Sequence, residues 1–205
     1  MKSTSRDVVI TGLGPVTSIG VGCAELWTAL SAGRRNVQAR TLTVDLGKCI
    51  DLPIAGMSHD DSHFDRHNAY LAEQNCEGSR DLAYSLSAIE LALADAGLEF
   101  DRADNKIGMI QAYEAPGVER TATKLFQLFS TPPTGGPPPV YDLLAPAFYN
   151  MQAFLYVHVV AKAFGLRGFC TSVHNACSSG AFAIETAAQQ IRSGQSDVMI
   201  VVGGE

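Results

Sequence analysis

Phe169-Cys170-Thr171-Ser172-Val173-His174-Asn175-Ala176-Cys177-Ser178-Ser179-Gly180 decides how this chain is read. Residues 169–173 are largely apolar or β-branched and predict a strand, and the small polar residues after them predict a tight turn. A helix follows, with Ile184, Ala187, Ala188 and Ile191 at i, i+3, i+4 and i+7 and Gly194 as its stop. Asp197-Val198-Met199-Ile200-Val201-Val202 then runs apolar without alternation, the pattern of a parallel strand buried on both faces. Strand, turn, helix and strand make a βαβ unit, for which a right-handed crossover is expected. The fold class is therefore α/β.

Upstream, residues 151–164 are apolar nearly all round and end at Gly165, which predicts a buried helix. Residues 106–112, with Ile107, Met109 and Ile110, predict another strand. Leu82, Leu86, Ile89 and Leu93 recur at helical spacing, so a long helix is expected over 79–96, stopped by Gly97. Near the start, Val8-Val9-Ile10-Thr11 predicts a buried strand ended by Gly12-Leu13-Gly14-Pro15. Residues 24–31 predict a short helix with Leu26, Trp27 and Leu30 on one face, and a strand is expected near Ile54. Residues 130–139, Ser-Thr-Pro-Pro-Thr-Gly-Gly-Pro-Pro-Pro, can be neither helix nor interior strand, because proline fixes φ and lacks a donor. Their flanks are too short for separate domains, so a long surface loop within one domain is expected.

Composition narrows the function. Hydrophobic residues make up 46% of the 205 and charged residues 18%, which excludes disorder as the main state. Fifteen basic against 21 acidic side chains leave a net charge of −6, which argues against a phosphate-tracking surface and a nucleic-acid partner. Five cysteines form an odd set without a close pair at metal-ligand spacing, so a reduced, cytoplasmic location is expected. The first residues lack the apolar stretch of a secretory signal, and no window reaches the apolar length of a bilayer span. No membrane partner, metal or cofactor is expected.

Cys177 is the candidate nucleophile. It sits where a strand hands over to a helix, and reactive groups in α/β sheets gather beyond the carboxyl ends of strands. A thiol at a helix N-terminus meets the positive end of the macrodipole, which favours thiolate. Its neighbours Ala176, Ser178, Ser179 and Gly180 are small, which admits a substrate carbonyl and leaves backbone N–H groups to hold an oxyanion. The competing reading is an inert buried cysteine, and Cys23, Cys49, Cys76 and Cys170 are assigned to it.

Other candidates read as structural. Glycines at 12 and 14 suggest a dinucleotide fingerprint, but position 17 is threonine and no Walker lysine follows, so a turn with tight backbone geometry is expected. His59, His63 and His67 recur every four residues and read as a solvated face rather than a metal site. His158 reads as a satisfied core histidine. His174 is near Cys177 in sequence, but strand alternation starts the two on opposite faces, which makes it a poor general base.

Val8-Val9-Ile10-Thr11-Gly12-Leu13-Gly14-Pro15-Val16-Thr17-Ser18-Ile19-Gly20 resembles the opening of the β-ketoacyl-ACP synthases. Phe64-Asp65-Arg66, Ala94-Asp95-Ala96-Gly97-Leu98, Phe164-Gly165-Leu166-Arg167-Gly168 and Ile191-Arg192-Ser193-Gly194 are similar to later landmarks of that family. Asn175-Ala176-Cys177-Ser178-Ser179-Gly180 is similar to its active-site signature, and residues 197–205 continue the match. The resemblance is weakest from about 113 to 145.

The resemblance implies a thiolase-like fold, in which two similar α/β halves stack helices between mixed sheets. Residues 1–205 then form the N-terminal β-ketoacyl synthase domain, with the C-terminal half absent. It implies acyl transfer from a thioester to Cys177, whose backbone N–H joins the oxyanion hole, followed by decarboxylative condensation with a malonyl thioester. Acyl carrier protein or CoA thioesters are the implied substrates. The implied partner is a second copy, docked through residues 169–173, or a chain supplying the C-terminal half. Ordinary thiolases place their cysteine much earlier, and chain-length factors replace it. The family's catalytic histidines and supporting lysine follow the Gly-Gly-Glu landmark, so none of this chain's five histidines is assigned to them. The alternative function is a non-condensing scaffold that pairs with a complete ketosynthase.

Overall fold

The computed structural model describes residues 7–44, 48–55, 62–99, 104–113, 117, 121 and 151–204; for residues 38–44, 48–55 and 62–63 it describes the backbone alone. The proline-rich segment 130–139 and His59 lie outside the described residues. In chain order the elements are β1 (Val16–Thr17), β2 (Gly20–Val21), α1 (Cys23–Ser31), β3 (Val37–Val44), β4 (Lys48–Ala55), α2 (Ser62–Asp65), α3 (Asn68–Glu73) and α4 (Arg80–Ala96). After them come β5 (Ile107–Tyr113), α5 (Ala153–Phe164), β6 (Cys170–Val173), a 3-10 turn (Ala176–Ser178), α6 (Ser179–Arg192) and β7 (Val198–Gly204).

The sheet that positions the site is three-stranded and wholly parallel, in the order β6-β5-β7. Two antiparallel ribbons, β1 with β2 and β3 with β4, stand apart from it. β5 is the central strand, with Met109 between Cys170 and Ile200 and Ala112 between Val173 and Gly203. Its apolar residues project both ways because both faces are covered. Met109 joins Ile200 and Val202 in a core with Leu82, Leu86 and Ile89 of α4 and Leu155, Tyr156, Val159 and Val160 of α5. Ile110 and Ala112 pack on the opposite side against Ala183 and Ala187 of α6. The βαβ reading of β6, α6 and β7 holds, with β5 inserted between the two strands.

α4 follows its sequence signals closely. Ser79 stands at its N-cap position, Leu82, Leu86 and Ile89 are buried, and Gly97 ends it in the left-handed region at φ 57°. Asp81 in its first turn gathers four donors. Oδ1 accepts from Ser79 Oγ (2.8 Å) and Leu82 N (2.9 Å), and Oδ2 accepts from Tyr156 Oη (2.5 Å) and Gly117 N (3.0 Å). One carboxylate thus ties α4 to α5 and to the chain beyond β5. Burial and the Asp81 charge push the Tyr156 phenol far above the usual tyrosine range.

Four expectations are corrected. Residues 8–11 form no strand, and Val9 and Ile10 are exposed. A strand needs a neighbouring backbone, and this segment instead lies over α4, with Leu13 N donating to Asp95 Oδ2 at 2.9 Å. Trp27 and Leu30 face outward from α1, which buries Ala29. α5 buries one stripe only, leaving Phe154 and His158 exposed, so His158 is not a core histidine. On α6 the buried residues are Ser179, Ala183 and Ala187, while Ile184 is exposed, because the helix sits close to β5 and only small side chains fit between.

His67 is the remaining correction among the histidines. It is buried against α4, with Nε2 3.1 Å from Ser87 Oγ and 3.6 Å from Glu90 Oε2, beside the Arg66–Glu90 ion pair. Burial lowers its pKa below the ordinary 6.5, with Glu90 opposing and Arg66 reinforcing the shift. A lowered imidazole value means the unfolded chain binds the proton first as pH falls. This contribution to stability is therefore complete above 6.5 and is lost on acidification below it. Chemical denaturation between pH 7.5 and 5.5 is expected to show a loss of stability that His67→Gln reduces. An identical pH slope in the variant would contradict this.

Candidate active site

β6 ends at Val173, and the chain crosses the carboxyl end of the sheet through His174 and Asn175 before turning into α6. Ala176 adopts φ 48°, a left-handed conformation that costs a non-glycine residue about 1–2 kcal/mol. Two serines hold it there. Ser179 Oγ accepts from Asn175 N (2.7 Å) and donates to Ala176 O (2.8 Å). Ser178 Oγ accepts from Asn175 Nδ2 (2.8 Å) and donates to Asn175 O (2.7 Å). Ser178 and Ser179, read from the sequence as small neighbours only, are the stitching of the turn. Their signal was their position at a helix start, where hydroxyls and amides take up orphan backbone groups.

The result is an exposed Cys177 at the entry to a 14-residue helix. The first amides of such a helix lack intrahelical acceptors and carry the positive end of its dipole. Among the described residues, a Cβ placed on Gly180 would meet nothing within 4 Å, so the start of α6 is uncrowded there. A nucleophilic sulfur, nearby backbone donors and access for a carbonyl are the three requirements of acyl transfer.

The other cysteines divide. Cys76 is buried, as expected, and burial pushes the half-buried Cys170 thiol up. Cys23 is exposed, contrary to the inert buried reading; its Sγ–H donates to Leu13 O at 3.4 Å. It starts α1, so its side chain projects from a helix end instead of into a core. Cys49 lies where only backbone is described. His174 is exposed, with Nε2 3.1 Å from Ser172 Oγ, and among the described residues no histidine hydrogen-bonds to Cys177.

The opening glycines serve packing, as the turn reading expects. A Cβ on Gly14 would lie 1.9 Å from Ala88 O, and one on Gly12 would lie 2.2 Å from Ala92 O. At the far end, a Cβ on Gly204 would meet the Tyr113 ring at 2.8 Å.

Residues 5–205 match the family model described as the N-terminal domain of β-ketoacyl synthase. The chain is 30% identical to 3-oxoacyl-[acyl-carrier-protein] synthase 2 of Rhizobium meliloti (strain 1021), over 98% of this chain and 47% of the relative. It is 27% identical to a putative polyketide β-ketoacyl synthase 1 of Streptomyces halstedii, over 96% of this chain and 45% of that protein. The solved ishigamide ketosynthase/chain length factor superposes with a TM-score of 0.73 at 24% identity, over 96% of this chain and 47% of that one. The chain thus spans about half the length of the curated relatives it matches. The parallel sheet between two helical layers is the α/β, thiolase-like architecture expected from the sequence. By its match to that domain along nearly its whole length, this chain belongs to the β-ketoacyl synthase family.

Proposed function

We propose that this chain is the nucleophile-bearing half of an acyl-condensing enzyme, with Cys177 as the acylated residue. The observation that carries the reading is the exposed Cys177 on a stitched, left-handed turn at the N-terminus of α6. The Cys177 thiolate attacks the carbonyl of an acyl thioester, and the carrier thiol leaves. A malonyl thioester then loses carbon dioxide, and the resulting carbanion attacks the acyl carbon on Cys177, expelling the thiolate. Backbone N–H groups at the Cys177 turn stabilise the oxyanion in both attacks. The Rhizobium meliloti relative is named for the acyl carrier protein, which supports a carrier-protein thioester as donor.

Decarboxylation needs donors for a developing enolate, and the described residues bring no histidine to Cys177. We assign those donors to the part of the protein that the relatives carry beyond this region. Phe182 and Ile184, exposed on α6, support a covering layer on that side. β6 is an edge strand among the described residues, which supports pairing with its twin in a homodimer. Light scattering of the full-length protein is expected to give a dimer mass; a monomer at micromolar concentration would count against it.

The test pairs the full-length protein with residues 1–205 expressed alone. The full-length form is expected to carry an acyl adduct on Cys177 and to release carbon dioxide from malonyl thioester while extending the chain. The short form is expected to aggregate and to do neither step of the extension. A monodisperse short form that extends an acyl chain would sink the division of labour. An acyl group found on any other residue would sink the assignment of Cys177.

A further inference from the structure

A cleft of about 680 Å³ opens between the β1–β2 ribbon, α1 and the chain after it, and none of its lining residues belongs to the Cys177 turn. That volume is typical of small-molecule sites, which run from about 300 to 1,000 Å³. Ile19 and Ala24 give it apolar walls, and Arg34 and Arg35 line it together. Consecutive residues of extended chain point to opposite sides. Here Gly33, at φ 63°, and the hydrogen bond from Arg34 N to Ala29 O (2.9 Å) fold the chain back over the end of α1. Arg34 and Arg35 therefore both line one cleft from an anchored backbone.

Three other polar residues of the lining, Asn36, Thr28 and Glu25, make hydrogen bonds within the protein. Asn36 Nδ2 donates to Ser18 O (2.8 Å), Thr28 Oγ1 donates to Ala24 O (2.8 Å), and Glu25 Oε2 accepts from Val21 N (3.1 Å). Among the described residues neither Arg34 nor Arg35 has a side-chain hydrogen bond or a carboxylate at ion-pair distance. Two arginines against one carboxylate, Glu25, give the lining a net positive charge in a chain of net charge −6. One fork saturates a carboxylate's two oxygens. Two forks match a phosphate monoester, which brings three terminal oxygens and a charge of about −1.5 to −2.

We propose that this cleft binds a small phosphate monoester, its phosphate held between Arg34 and Arg35 and its apolar body against Ile19 and Ala24. The site is separate from the acyl chemistry and does not depend on it. Full-length protein titrated by calorimetry with monobutyl phosphate, inorganic phosphate and butyrate at matched ionic strength tests it. Monobutyl phosphate is expected to bind most tightly, with inorganic phosphate weaker and butyrate weakest. Arg34→Gln and Arg35→Gln are each expected to weaken it about tenfold, with an unchanged thermal midpoint because both side chains are exposed. Lys162→Gln, on α5, is expected to leave binding unchanged. Butyrate binding as tightly as monobutyl phosphate would overturn the phosphate assignment. No detectable binding, or binding that persists in the doubly substituted protein, would overturn the site.

Discussion

A Cys177→Ala protein offered an acyl thioester is expected to retain no acyl group and to lose condensation by at least about 10⁴-fold. The expectation is large because no other group at the turn can replace the thiolate. Ser178 and Ser179 are committed to holding Asn175 and Ala176, and His174 contacts Ser172. Cys177 is exposed, so its removal takes little from the core, and the thermal midpoint should stay within a degree or two. Intact-mass spectrometry reads the adduct and a melting curve reads the fold. Cys177→Ser separates two accounts of the site. If the residue only fills space, serine restores activity; if it is the nucleophile, the poorly ionised hydroxyl leaves most of the loss in place. An acylated Cys177→Ala protein would end the nucleophile assignment.

The second large effect is on stability. Gly14→Ala is expected to destabilise by about 3 kcal/mol or more, lowering the melting midpoint by roughly 10 °C. The added methyl carbon would lie 1.9 Å from Ala88 O and 2.6 Å from Ala92 N, so it meets helix backbone and not a side chain that could swing aside. Either α4 moves away, carrying Leu82, Leu86 and Ile89 out of register with the sheet, or the opening segment lifts off. Gly180→Ala is the matched control: its added carbon meets nothing within 4 Å, and alanine favours a helix. It should melt at or slightly above the parent. Equal midpoints for the two variants would show that the opening segment does not pack on α4 as described.

What could be read from sequence alone was periodicity and punctuation. Leu82, Leu86 and Ile89 with a glycine stop announced α4, and the unbroken apolar run before Gly203 announced a parallel strand. Cys177 was legible because strand, small residues and helix follow one another without a gap. Periodicity cannot say how near two elements lie. The spacing of Ile184, Ala187, Ala188 and Ile191 marked a stripe, yet the close seat of α6 on β5 turns Ala183 and Ala187 inward. Residues 8–11 show the converse failure. β-branched composition favours a strand only where a backbone partner waits, and none pairs with them among the described residues. The Arg34–Arg35 cleft left no trace in the sequence, because it depends on how Gly33, at φ 63°, turns the chain back over the end of α1.

The insertion of β5 between β6 and β7 also sets an order of events during synthesis. Residues of α4 find their helical partners four positions away, so the pairing of that helix needs no later part of the chain. β5 emerges next and has no strand to meet until Cys170–Val173 and then Val198–Gly204 have been made. For that interval its two edges and apolar faces are bare, which is the condition under which nascent chains depend on chaperones. Among the described elements β7 is the strand that completes the parallel sheet, and Cys177, placed at its carboxyl end, becomes an organised site only when β7 closes beside β5.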